Sequence, residues 1–390
     1  MSRLLAFVIA LSGWFVAPLW AAEIDFPQAP PRTQGIQAKR LREMSQWVRA
    51  EQHDVRAMLV VRRGKLVFEW YAAGVTRDHN HNVFSVTKSV VATLAGAAIQ
   101  QGKLSGVDVT LAELFPDAKY LAKDPIKANI TLGQLLSMQA GLPVTRGNKP
   151  KQDPQRILFD RVHSAADRGR FVLRLPLESK PGEKFIYNNN EPQLVASALQ
   201  QAYGTDIRQI GHQLLFDPLK FQNVGWLFPD QTGQYPGGYG LRLRAIDMAK
   251  LGQLYLQQGT WNSEAILSEP WCQKATSDQT GTGYGYFWWN APGSDGQQPF
   301  SAKGVRGQRI YVDPQKELIF VVASDLPPEQ VNPVMHQLID QFVIPSVESP
   351  MALAEDAEES QLLKAELAQA ARFLSPHRNG LPATRLPQPR

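Results

Sequence analysis

Ser85-Val86-Thr87-Lys88 is the stretch on which the reading of this chain turns. A polar loop, Asp78 to Asn82, precedes it, and an apolar run of small and aliphatic residues, Val90 to Ile99, comes after it. That pattern predicts the start of a buried helix. Positions i and i+3 of a helix share a face, so Ser85 and Lys88 are placed to touch. A serine hydroxyl is a weak nucleophile until a neighbouring base takes its proton. A lysine in a dry pocket loses its charge readily and becomes such a base. No other Ser-x-x-Lys occurs in the chain.

Outward from this point, the chain divides by pattern. Ile36 to Gln52 has helical spacing. Met58 to Val61 and Leu66 to Tyr71 read as strands joined by a hairpin turn at Arg63-Gly64-Lys65. Residues from about 105 to 240 mix loops and short helices, among them Thr131 to Met138, with Thr131 as N-cap, and Leu194 to Ala202. Leu243 to Leu256 reads as an amphipathic helix after a Gly-rich turn at Gly237, Gly238 and Gly240. Tyr284 to Trp289, Arg309 to Val312 and Leu318 to Ala323 then read as strands, and Val334 to Val343 as a last helix. Strands at both ends with helices between predict an α+β fold. Its antiparallel sheet is built from N- and C-terminal segments and flanked by helices, and the helical lobe is an insertion.

The chain has 390 residues, 43% hydrophobic and 20% charged, with a formal net charge of +5. That composition suits a large folded globular chain and carries no basic excess pointing to nucleic acid. Residues 1–22 read as a secretory signal: Arg3, an apolar stretch from Leu4 to Trp20, then Ala21-Ala22 before Glu23. The expected location is therefore periplasmic. The bulky residue at Leu19 or Trp20 leaves an uncleaved membrane anchor as the alternative. Residues 23–35, with Pro27, Pro30 and Pro31, read as a linker, 36–346 as the folded domain, and 347–390 as a helical and then Pro/Arg-rich tail. Cys272 is the sole cysteine, which rules out an intrachain disulfide and reads as a small core residue.

Two further segments bear on chemistry. In Pro181-Gly182-Glu183-Lys184-Phe185-Ile186-Tyr187-Asn188-Asn189 a turn leads into a short run ending at a tyrosine, whose hydroxyl near a lysine is suited to shuttling a proton. In Ala302-Lys303-Gly304-Val305-Arg306-Gly307-Gln308, glycines allow a strand edge to approach a ligand, and free N–H groups there suit an oxyanion. His79-Asn80-His81 begins like a zinc motif, but Val83 and Phe84 stand where further ligands belong, so no metal or organic cofactor is called for.

Taken in order with Thr131 to Leu142, these segments resemble the serine β-lactamase and penicillin-binding-protein superfamily. The likeness is closest to its class C-like branch of esterases, D-amino-acid peptidases and 6-aminohexanoate-oligomer hydrolases, and it runs from about Ile36 to Pro345. The resemblance implies Ser85 as acylated nucleophile, Lys88 as its base and Tyr187 as partner in base duty and proton donor to the leaving group. It implies that Asn189 orients substrate and lysine, and that the N–H groups of Ser85 and Val305 form an oxyanion hole, worth about 3–4 kcal/mol per donor. Lys303, Gly304 and Val305 would line the substrate. The family's Lys-Thr-Gly is here Ala302-Lys303-Gly304, so its first cation is an alanine, and of Lys303, Arg306 and Arg309 alternation sends neighbours to opposite faces. That departure favours an esterase or amidase acting on a small-molecule or peptide-like substrate over an efficient β-lactamase. The alternatives are a penicillin-binding carboxypeptidase or β-lactamase, a slowly deacylating covalent sensor, and a non-catalytic envelope-binding protein.

Overall fold

The computed structural model of the chain describes residues 25–374, so the signal reading and all but the first residue of the Pro/Arg-rich segment lie outside the described residues. The main sheet has five strands. β1 (Val55–Arg62) and β2 (Lys65–Tyr71) come from the N-terminal part of the chain. β3 (Phe300–Lys303), β4 (Arg309–Asp313) and β5 (Leu318–Ser324) come from the C-terminal part. The order is β2-β1-β5-β4-β3, antiparallel throughout, so the two ends of the chain meet along β1 and β5. Arg63 and Gly64 both have positive φ, 50° and 68°, between the paired Arg62 and Lys65. This is the primed two-residue turn whose twist matches a right-handed hairpin.

Alternation along β1 assigns the faces. Ala57, Leu59 and Val61 join one apolar cluster with α2 (Val86–Gln100) and α4 (Ala245–Leu256). Met58 and Val60 join a second with α1 (Ala38–Ala50), α5 (Pro328–His336) and α6 (Ala357–Ala370). The first cluster continues into the helical lobe through α3 (Asn190–Tyr203), so lobe and sheet share one core.

Four expectations are corrected. Tyr284–Trp289 is not a strand. The segment folds on itself, with Gly285 N–H donating to Trp288 O at 2.8 Å, and Phe287 takes a positive φ of 57°. Only Trp289 pairs outward, with Ser301, adding one residue beyond β3. The aromatic run fills a gap beside α2 instead of extending a sheet: Ser89 Oγ donates to Phe287 O at 2.7 Å. The helix expected from Leu243 begins at Ala245, because Leu241–Arg244 forms the central strand of a small sheet with Asn80–Asn82 and Gly225–Trp226. The helix expected over Val334 to Val343 starts earlier, at Pro328, and runs through wider turns at Gln337–Val343 to Ser346. Within the supposed linker, Phe26 is buried, Gln28 bridges Leu66 in parallel, and Pro31–Gln34 form a 3-10 turn. This stretch therefore covers the exposed edge of β2.

Candidate active site

Ser85 stands at the N-terminal end of α2, and the bond before it is shaped by strain. Phe84 has φ 46°, unusual for a bulky residue, and is held there by its N–H to Asn82 Oδ1 at 3.1 Å. The small sheet anchors this approach: Val83 N–H donates to Leu241 O at 3.0 Å, and Leu241 N–H donates to Thr87 Oγ1 at 3.2 Å.

One turn into α2, Lys88 is 1% exposed. Its Nζ lies 3.1 Å from Ser85 Oγ, 2.7 Å from Asn189 Oδ1 and 2.7 Å from Gly238 O. Burial, with the charge of Arg146 adding to it, pulls the amine down to about 7. A neutral amine has two N–H donors and one lone pair. Asn189 Oδ1 and Gly238 O absorb both donors, and the lone pair is left facing the serine hydroxyl. Gly238 cannot carry a side chain here, since a Cβ would sit 2.9 Å from Asn189 Oδ1 and 3.3 Å from Lys88 Nζ.

Tyr187 packs beside this pair, its ring 4.9 Å beneath Lys88 Nζ and 5.4 Å from the Trp289 ring. Desolvation pushes its phenol up to about 12, against the pull of the Ser85 hydroxyl and of Arg146. Tyr187 therefore stays protonated at neutral pH, and the lysine is the group that changes charge. Behind it, Glu191 is fully buried. Burial raises its carboxyl well above the usual range, while the Ala140 N–H (3.0 Å from Oε1) and Asn188 act in the opposite sense.

The structure brings Ser85, Lys88, Tyr187 and Asn189 into direct contact range. Lys303 bonds to none of the four and instead rests over the Trp289 ring at 5.0 Å. Gly304 packs where a Cβ would be 2.6 Å from Val83 O, which seats the end of β3 against the approach to Ser85. Val305 is 43% exposed at the rim, and among the described residues neither its N–H nor that of Ser85 has an acceptor. Ala302 faces the core. The rings of His79 and His81 are 4.8 Å apart, and among the described residues no group of three or more His, Cys, Asp or Glu side chains is arranged to hold a metal ion.

Three contributors were not singled out in the sequence. Gly238 acts through its carbonyl, which has no side-chain signature. Arg146 reaches Tyr187 O at 3.4 Å only after a long loop closes. Trp289 was read as part of a strand; its position next to Tyr187 depends on the bridge to Ser301.

A two-ended antiparallel sheet, a lobe sharing its core and a buried hydroxyl–amine pair at their seam define a protein of the β-lactamase-fold hydrolase class. The chain belongs to the family described as Beta-lactamase, which it matches over residues 45–343. Among its relatives, the 6-aminohexanoate-dimer hydrolase of Paenarthrobacter ureafaciens is 25% identical over 314 residues, covering 74% of this chain and 77% of that protein. Similar solved structures include a Bacillus anthracis protein provisionally described as a 6-aminohexanoate-dimer hydrolase, with TM-score 0.67, 21% identity and coverage of 85% of this chain and 89% of that one. Another is EstCE1, a hydrolase with promiscuous acyltransferase activity, at TM-score 0.63, 20% identity, and 80% and 98% coverage. At these identities the structural matches speak to the fold.

Proposed function

We propose that the protein is a serine hydrolase that cleaves an ester or amide through an acyl-enzyme on Ser85. The observation that carries this reading is the fully buried Lys88 amine 3.1 Å from Ser85 Oγ, with its two other partners fixed. Neutral Lys88 takes the Ser85 proton as Oγ bonds to the substrate carbonyl carbon. The resulting oxyanion is met by the N–H groups of Ser85 and Val305. As the carbonyl carbon–leaving-group bond breaks, Tyr187 gives its proton to the departing oxygen or nitrogen and is reprotonated from Lys88. Water then attacks the acyl-enzyme with the lysine again as base, which restores Ser85. The gap between about 7 for Lys88 and about 12 for Tyr187 assigns base to the one and proton relay to the other. The name of the Paenarthrobacter relative supports amide substrates and that of EstCE1 supports acyl transfer to and from an ester.

Intact-protein mass spectrometry after a fluorophosphonate, with p-nitrophenyl butyrate turnover alongside, tests this. We expect one adduct, on Ser85, lost in Ser85→Ala together with turnover. Labelling that survives in Ser85→Ala would overturn the assignment. A long-lived penicilloyl adduct in a parallel incubation would instead favour a slowly deacylating penicillin-binding protein.

A further inference from the structure

Lys303 and Arg309 are directly opposed in the β3–β4 register. Opposed residues share a face, and like charges at such positions repel. Arg309 is also 7% exposed. Among the described residues no carboxylate, carbonyl or hydroxyl hydrogen-bonds its guanidinium, and its Nε is buried without a partner. Nearby cations are neutralised: Arg306 lies 3.4 Å from Asp325, and Arg56 lies 2.9 Å from the same carboxylate. Lys303 has the face of Trp289 instead of an acid. Burial and then Arg309 pull the Lys303 amine down to about 8, and burial pulls Arg309 to about 10, as befits two charges without a counterion.

A buried, unpaired guanidinium is costly to retain, and its fork fits a carboxylate in two-point fashion. The pair also adjoins the reacting groups. Gly304, next to Lys303, abuts the backbone two residues before Ser85, and Trp289, beneath the Lys303 ammonium, lies 5.4 Å from the Tyr187 ring. We propose that Lys303 and Arg309 form an anion subsite that takes a carboxylate of the substrate, so that the enzyme selects acid-bearing esters or amides over neutral ones. The cation missing at Ala302 is thereby supplied from the opposite face of the strand, and Arg306, held by Asp325, takes no part. This inference rests on the acyl-enzyme reading for its place in catalysis but not for its binding.

Two matched pairs locate the anion: 4-nitrophenyl hydrogen succinate against its methyl ester for the acyl side, and 3-(butanoyloxy)benzoate against its methyl ester for the leaving group. We expect kcat/KM to favour the acid in one pair by about tenfold or more. Arg309→Gln and Lys303→Met should each bring that ratio toward one. Equal rates for acid and ester in both pairs, or equal losses on both members in the variants, would overturn the subsite. Calorimetry of Ser85→Ala with N-phenylsuccinamate, N-phenylglutaramate and their methyl esters reads binding alone. Preference for the acids, lost in Ser85→Ala/Arg309→Gln, would support the subsite even if Ser85 proved not to be acylated. No preference there would count against it, whatever the turnover. Circular dichroism of each variant shows that the fold is kept, and Lys303→Met, at a half-exposed position, keeps the test open should Arg309→Gln fail to fold.

Discussion

Two acceptors that cannot move dictate where the third position of the Lys88 amine points, and this makes the site sensitive to single atoms. If neutral Lys88 is the base, activity is present above its ionisation and lost as pH falls through it. The acid limb of kcat/KM for a neutral ester should therefore bend near pH 7, because burial has brought the lysine down to about 7. Lys88→Arg, which stays charged, should lower turnover by about a thousandfold or more at every pH; a variant that recovers at high pH would assign the base elsewhere. Gly238→Ala probes the other side of the amine. Its Cβ would press on Asn189 Oδ1 and Lys88 Nζ, a displacement of a fraction of an ångström, and kcat should fall about tenfold to a hundredfold with the fold intact. Unchanged kcat in that variant would mean the Gly238 carbonyl has no part in orienting the lysine. Lys303 responds in the opposite sense. It loses charge as pH rises through about 8, so preference for carboxylate-bearing esters should fade there while neutral-ester turnover holds.

At the scale of elements, the last helix shows that the tail segment carrying α6 is built into the fold. Glu366 is buried on α6, where it accepts Ser45 Oγ at 2.6 Å and the Arg49 guanidinium at 2.8 and 2.7 Å, all from α1. Arg42 and Glu359 repeat the pairing farther along the same two helices at 2.7 Å. Glu366→Ala strands a buried hydroxyl and leaves a quarter-exposed arginine to water, so it should destabilise the protein by about 1–3 kcal/mol in urea unfolding while leaving kcat alone. Stability unchanged in that variant would show the α1–α6 contact to be apolar only. The same scale explains what could be read ahead of the structure. The β1–β2 hairpin and the start of α2 carry local signals, in turn chemistry and apolar periodicity, and could be placed from a dozen residues each. So could the Tyr187–Asn189 loop. Tyr284 to Trp289 could not, because its aromatics have high strand propensity wherever they occur. Burial against α2 and the glycines at 283 and 285, not propensity, decide its path. The orphaned Arg309 is likewise invisible until β4 is paired with β3.

For the molecule as a whole, the decisive fact is that the site draws on both ends of the chain and on its middle. Ser85 and Lys88 come from the helix behind the sheet, Val305 from the end of β3, and Tyr187, Asn189 and Gly238 from the lobe or its exit. Such an arrangement would be fragile if lobe and sheet were separate bodies joined by a polar interface. They are not: one apolar cluster runs without a break from Ala57 and Leu59 in β1, through Val90, Val91 and Leu94 of α2, to Leu194 and Leu199 of α3 and Leu215 beyond. Opening the seam would bare that surface, at about 25 cal/mol per Å² of apolar area. Partial opening is therefore nearly as unfavourable as unfolding, and lobe and sheet should melt together. Ester turnover, tryptophan fluorescence and far-UV circular dichroism should then be lost at one urea midpoint. Turnover that vanishes well below the dichroism transition would instead show that the lobe detaches first, freeing Lys88 from Asn189 and Gly238 while the sheet persists.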